Sequence, residues 1–213
     1  MELPAYLPAV GLILLALVAG VLSPGPSFVM AARTAVARSR SDGLAVSFGL
    51  GLGATLVAGL CLAGLHAVLT AVPWAYTFLK IAGGLYLAWM AWNIWKGAPQ
   101  PLAMPDVGSS DERGSLWASF GLGLLTQISN PKAAVVYGSV FAALLPAQFP
   151  YVAALLVMAG VFLMETAWYC VVVLVLSSNR PRAVYLQAKT LIDRIAATVM
   201  GALSARLVLS AAN

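Results

Sequence analysis

Apolar residues run along this chain in long blocks, and the polar residues gather in short groups between them. The blocks cover roughly 7–37, 44–66, 74–95, 116–145, 151–176 and 190–210. A bilayer core of about 30 Å takes around 20 apolar residues of helix. The pattern therefore predicts an all-α integral membrane protein with six transmembrane helices. The first and fourth blocks are too long for one straight span, and each carries a proline-containing interruption. Ser23-Pro24-Gly25-Pro26 interrupts the first, and Ser129-Asn130-Pro131-Lys132 interrupts the fourth. A proline inside a helix removes a backbone hydrogen bond and clashes with the preceding turn, at about 3 kcal/mol. In lipid each unsatisfied backbone group costs several kcal/mol, so a break persists only where protein or a wet cavity covers it. Spans one and four are thus expected as pairs of half-helices broken at proline.

Composition agrees. Of 213 residues, 62% are hydrophobic and only 9% charged, against about 25% charged in soluble domains. The formal net charge of +5 is no nucleic-acid footprint, because there is no basic stripe interleaved with aromatics. The cations sort by loop instead. Arg38 and Arg40, with Arg33 just inside, follow span one; Lys96 and Arg113 follow span three; Arg180, Arg182 and Lys189 follow span five. The segments 67–73 and 146–150 and both tails carry no Lys or Arg. By the positive-inside rule, loops 38–43, 96–115 and 177–189 are expected in the cytoplasm and both termini outside. No Lys or Arg precedes the first apolar stretch, so it is expected as a retained helix and not a secretory signal. Tyr6, Trp74, Tyr76, Trp92, Trp95, Trp117 and Tyr151 fall near span ends, where interfacial aromatics belong.

The segment 97–115 holds Pro99, Pro101, Pro105, Gly108, Ser109 and Ser110, the composition of a polar connector. It divides a single transmembrane domain, 1–213, into halves 1–96 and 116–213 of three spans each. An odd number of spans per half makes the second start from the opposite face, so the halves are expected as inverted repeats. The breaks fit, since Pro131 stands 107 positions after Pro24.

Paired interruptions in corresponding segments of two halves point to a transporter's binding site. Ser23, Pro24, Gly25, Pro26 and Ser27 open a fresh helix N-terminus, and Asn130, Pro131 and Lys132 open a second. Such ends favour anions through unpaired N–H groups and the helix dipole. Lys132 adds a positive charge, and Gln127 can line the same cavity. The alternative is two structural kinks satisfied by neighbouring helices. Glu165 stands near the middle of span five, where a charge costs at least ~2.5–3.5 kcal/mol and usually marks an ion or substrate pathway. Burial disfavours a charged carboxylate, which suits proton uptake and release; it could instead meet a substrate ammonium or pair with Lys132 or Lys80. Asn93 and Lys80 are weaker candidates. The glycines of span two, Gly49, Gly51, Gly53, Gly59 and Gly64, read as packing positions. Cys61 and Cys170 read as buried free thiols, with a membrane thiol-redox carrier as the alternative. There is no Cys-x-x-Cys and no metal-ligand cluster, and no cofactor is called for. Exposed apolar helices allow a homodimer in the lipid without demanding one.

The order of motifs resembles the lysine and homoserine/threonine exporter (LysE/RhtB-type) family of bacterial amino-acid translocators. The matching stretches are Ser23-Pro24-Gly25-Pro26 with Ala32-Arg33, the Arg38–Gly43 turn, the Gly-rich second helix and Leu79–Leu87. Phe120-Gly121-Leu122 leading to Asn130-Pro131-Lys132-Ala133, and Trp168-Tyr169 near Glu165, complete the set. The sequence departs at Pro146-Ala147-Gln148-Phe149, where an alanine is inserted. The resemblance implies a six-helix inner-membrane exporter, not an enzyme, that moves amino acids or close relatives by proton antiport; export of another small solute is the alternative. Its substrate-binding residues would be the two break segments with Gln127, and its proton-coupling residue Glu165.

Overall fold

The computed structural model describes residues 6–71, 73–100, 115–146, 149–177 and 179–212, with side chains over 6–65, 77–78, 81–100, 115–146, 149–177 and 186–209. Eight α-helices make up the described regular structure: α1 (Leu7–Leu22), α2 (Pro26–Ala37), α3 (Arg40–Ala71), α4 (Pro73–Gly97), α5 (Leu116–Ile128), α6 (Pro131–Leu144), α7 (Tyr151–Leu176) and α8 (Asn179–Ala212). Arg40–Leu65 of α3 and all of α7 are long and apolar enough to cross a membrane. The bent pair α1–α2 makes a third such span if counted as one, while α5 and α6 are shorter apolar helices. Most of the expected polar connector, 101–114, lies outside the described residues.

Both interruptions are helix ends. The axes of α1 and α2 differ by 59° across the first break. Pro26 and Pro131 each open the new helix, where a missing N–H costs nothing because that donor has no intrahelical partner. The helix α3 starts on a serine cap: Asp42 N–H donates to Ser39 Oγ at 3.0 Å, the N-cap bond, and Ser39 Oγ in turn donates to Asp42 Oδ2. Ser119 Oγ of α5 donates to the other Asp42 oxygen at 2.6 Å, tying α3 to α5.

Lipid offers no hydrophobic force between helices, so close packing has to hold them. A Cβ on Gly49 would run into the Phe120 carbonyl oxygen, and one on Gly123 into that of Val46. The α3 and α5 backbones therefore touch. Gly53 similarly leaves room for Gln127, whose Cβ would lie 2.8 Å from an added methyl. Packing does not explain the whole glycine series: Gly59 faces only the flexible end of Met158, and Gly64 meets nothing within 4 Å. The main apolar cluster joins Ile13 and Leu17 of α1 to Val140 and Phe141 of α6, Val157 and Val161 of α7, and Met200 of α8. A second cluster holds Phe28 and Ala31 of α2 against Val46 and Leu50 of α3 and Val173 of α7.

Trp92, Trp95, Trp117 and Tyr151 are exposed. Tyr6 is not: it is buried edge-to-face against Phe149, with ring centroids 6.2 Å apart, because that apolar partner covers it. The side chains of Trp74 and Tyr76 lie outside those described.

The two short helices that follow the breaks are packed differently. The helix α6 lies against α1, α3, α4 and α8, whereas α2 lies against α3, α5 and α7. Between α2 and the α4–α8 pair a cleft of about 500 Å³ opens instead.

Candidate functional site

The two breaks meet. Ser23, Gly25 and Ser27 from the first, and Gln127, Asn130 and Lys132 from the second, line one small cavity with Glu165, Tyr137 and Tyr169. Its volume is about 30 Å³, room for about two waters and too little for an amino acid. Pro24 and Pro26 face the adjoining cleft, which shares Ser23, Gly25 and Lys132 with the small cavity. Pro131 lines neither, and its place is the first turn of α6.

Ser27 is the hub between the halves. Its hydroxyl donates to Gln127 Oε1 and accepts from Asn130 Nδ2 at 2.9 Å. All three side chains are buried, with exposures of 1%, 2% and 6%. A polar group hidden from water at this depth needs a partner, and here each supplies one to the others.

The two helix N-termini are not equivalent. Asn130 Oδ1 accepts the Lys132 N–H at 3.0 Å, and the Ala133 and Ala134 N–H groups reach the Asn130 carbonyl oxygen at 3.1 and 3.3 Å. The second terminus thus caps itself through Asn130 Oδ1; the Ala134 bond has its equivalent in α2, where Val29 N–H donates to the Gly25 carbonyl oxygen at 3.0 Å. No side chain caps α2 at Gly25. Gly25 has ordinary extended backbone angles, so its glycine serves space: a Cβ there would lie 3.3 Å from Lys132 Cδ and 3.4 Å from Lys132 Nζ.

Lys132 Nζ donates to the Ser23 carbonyl oxygen at 2.6 Å. That oxygen ends α1, so the ammonium sits on the negative end of the α1 dipole and satisfies one of its orphan carbonyls. Glu165 takes the phenol instead: Tyr137 Oη donates to Glu165 Oε1. The expected alternative of a direct Glu165–Lys132 pair is therefore not what the geometry brings together, although each lies within the other's electrostatic field. Glu165 is 3% exposed, and its Oε2 is buried without a hydrogen-bond partner. The Tyr169 hydroxyl faces both Glu165 and Ser27. The arrangement offers a cation beside an uncapped helix N-terminus, and across the cavity a carboxyl group with one open oxygen. An anionic and a cationic group on one small ligand would find complementary partners here.

The apolar pattern does not single out Tyr137 or Tyr169. One signal could have: Tyr169 follows Glu165 by four residues, which places both on one helical face. Nothing local marks Tyr137, which reaches Glu165 only through the packing of α6 on the rest of the bundle. Asn93 lines the larger cleft, and the side chains of Lys80 and His66 lie outside those described. Cys61 and Cys170 are free thiols. Cys61 Sγ lies 3.5 Å from the Ala134 carbonyl oxygen, so the two thiols do not pair with each other.

Comparison with known proteins bears on this geometry. The family model described as "LysE type translocator" matches residues 18–211, which include both breaks and Glu165. The threonine efflux protein of Escherichia coli (strain K12) is 31% identical over 193 residues, covering 91% of this chain and 94% of the relative. The threonine efflux protein of Salmonella typhi is 32% identical over 196 residues, with the same coverage of 91% and 94%. A cysteine/O-acetylserine efflux protein of Escherichia coli O1:K1 / APEC is 33% identical over 118 residues, 55% of each chain. No solved structure matches significantly.

Proposed function

Because this chain belongs to the LysE type translocator family, a family of transporters and not enzymes, we propose that it exports amino acids or closely related small zwitterions across a bacterial inner membrane in exchange for protons. The observation that carries this reading is the convergence of both helix breaks, Lys132 and Glu165 on one buried cavity. Efflux of threonine and of cysteine or O-acetylserine by the relatives supports the substrate class.

In this reading 1–213 is one transporter domain of six spans in two inverted repeats, with α1–α2 and α5–α6 as the broken spans. Both termini face outward, and loops 38–43, 96–115 and 177–189 face the cytoplasm. The substrate carboxylate meets Lys132 and the uncapped α2 terminus at Ser23–Ser27. Gln127 and Asn130 supply polar contacts, and Pro131 fixes the turn. Glu165 carries the proton, with Oε2 as its open position.

Inverted repeats also give the unequal packing of α2 and α6 a meaning. Under that symmetry α6 corresponds to α2, and α6 closes against α4 and α8 while α2 does not. The cleft beside α2 is then the cytoplasmic entrance. Rocking one half against the other would close α2 onto α4 and α8, release α6, and expand the 30 Å³ cavity around the substrate.

The test is export from cells loaded with individual amino acids, with and without an imposed pH gradient. The proposal expects efflux of at least one amino acid that the gradient accelerates. No efflux of any amino acid would sink it.

A further inference from the structure

The larger cleft carries a charged group that the site above does not use. Lys189 and Asp193 of α8 form an ion pair, Nζ to Oδ2 at 2.7 Å, one helical turn apart. Lys189 is fully engaged: Nζ also donates to the Gly97 and Ala98 carbonyl oxygens at 3.4 and 3.3 Å, where α4 ends. Asp193 is not. It is 3% exposed, and its Oδ1 is buried with no hydrogen-bond partner. A buried carboxylate oxygen left open in an otherwise satisfied network needs an explanation, and Asp193 lines the cleft between α2, α4 and α8. Lys132 lines the same cleft and feels the field of Asp193. At about 500 Å³ the cleft falls within the ~300–1,000 Å³ of small-molecule sites.

We propose that this cleft is a separate docking site for the substrate zwitterion, in which Asp193 Oδ1 takes the α-ammonium group and Lys132 takes the carboxylate before the substrate passes inward to Glu165. The inference rests on the export reading. An ammonium suits Asp193 because it brings a charge-assisted donor to the one carboxylate oxygen that Lys189 leaves open. A 2-hydroxy acid would offer Oδ1 only a neutral hydroxyl donor in place of a charged ammonium, and charge-assisted hydrogen bonds are the stronger ones. Lys132 shuttles between the two cavities that it lines, leaving the Ser23 carbonyl to lead the carboxylate in.

The test uses the full chain in proteoliposomes, with radiolabelled threonine offered at the face that Lys189 lines and threonine or its 2-hydroxy analogue as competitor. Asp193→Asn keeps an oxygen for Lys189 but loses the charge. The expected result is a KM raised about tenfold or more, which is ~1.4 kcal/mol per factor of ten. The preference for the amino acid over the hydroxy acid should shrink by a similar factor. A merely structural role would lower the melting temperature or the maximal rate without moving that preference. As a second measurement, Asn93→Cys in a Cys61→Ser, Cys170→Ser background reports on the cleft with Asp193 intact. Threonine should protect this thiol from maleimide at concentrations about tenfold below those at which the hydroxy acid does. An unchanged KM and preference in Asp193→Asn, or equal protection by both ligands, overturns the docking site while leaving export standing. If the unsubstituted protein moves no amino acid, the export reading fails and the docking site with it.

Discussion

Replacing Lys132 by methionine separates binding from architecture at the centre of the site. Methionine keeps most of the length and apolar stem but loses the ammonium and its 2.6 Å bond to the Ser23 carbonyl oxygen. For stability two effects oppose each other. The orphaned carbonyl costs about 1–3 kcal/mol, while removing a buried charge relieves its desolvation, and apolar replacements of buried charges are often neutral or stabilising. The net change in stability should be small, a shift of a few degrees in melting temperature. In the proposed site the substrate carboxylate forfeits a charge-assisted hydrogen bond of up to ~1.5–3 kcal/mol, less whatever Lys132 gives up in leaving the Ser23 carbonyl oxygen. That is a rise in KM of up to roughly 10- to 150-fold. The assay is counterflow, in proteoliposomes, of an amino acid that the unsubstituted protein exports, beside a melting curve in detergent. A KM within twofold of the unsubstituted value would refute the reasoning, and so would a collapse of stability at unchanged KM.

Other outcomes follow from contacts elsewhere in the molecule. Gly123→Ala drives a methyl into the Val46 carbonyl oxygen; overpacking costs ~1–3 kcal/mol, and backbone cannot turn aside as a side chain would. The melting temperature should fall by about 2–4 °C per kcal/mol, whereas Gly64→Ala, with nothing within 4 Å, should leave it unchanged. Ser119→Ala removes the 2.6 Å donor to Asp42, and a buried acceptor left unpaired costs ~1–3 kcal/mol. That loss should appear as a lower melting temperature, and restoring Ser should recover it. The Cys61→Ala, Cys170→Ala double variant should transport at the full rate, since the thiols do not pair; lost transport would revive the thiol-redox alternative.

The breaks were legible because proline chemistry is local. Pro24, Pro26 and Pro131 end and start helices whatever surrounds them, and the half-helices lie on either side of both interruptions. Glu165 was legible because a lone acid in an apolar run has few bland explanations. What the sequence could not show was which partner each polar group would choose. Asn130 caps its own helix, Lys132 caps α1 across the halves, and Glu165 turns to Tyr137. Those choices depend on how helices distant in sequence pack together. Asp193 illustrates the same limit: nothing local marks it, and only the folded chain buries it beside a cleft. Tyr6 errs the other way, an expected anchor that the fold covers with Phe149.

The central claim is that the two breaks and Glu165 form one site that exchanges substrate for protons. Glu165→Gln tests it most directly in proteoliposomes holding an amino acid that the unsubstituted protein exports. The amide preserves size and can still accept from Tyr137, but it cannot release a proton. The account predicts that exchange of internal for external amino acid survives, while transport driven by a pH gradient is lost. Gradient-driven transport at the unsubstituted rate in Glu165→Gln would contradict it.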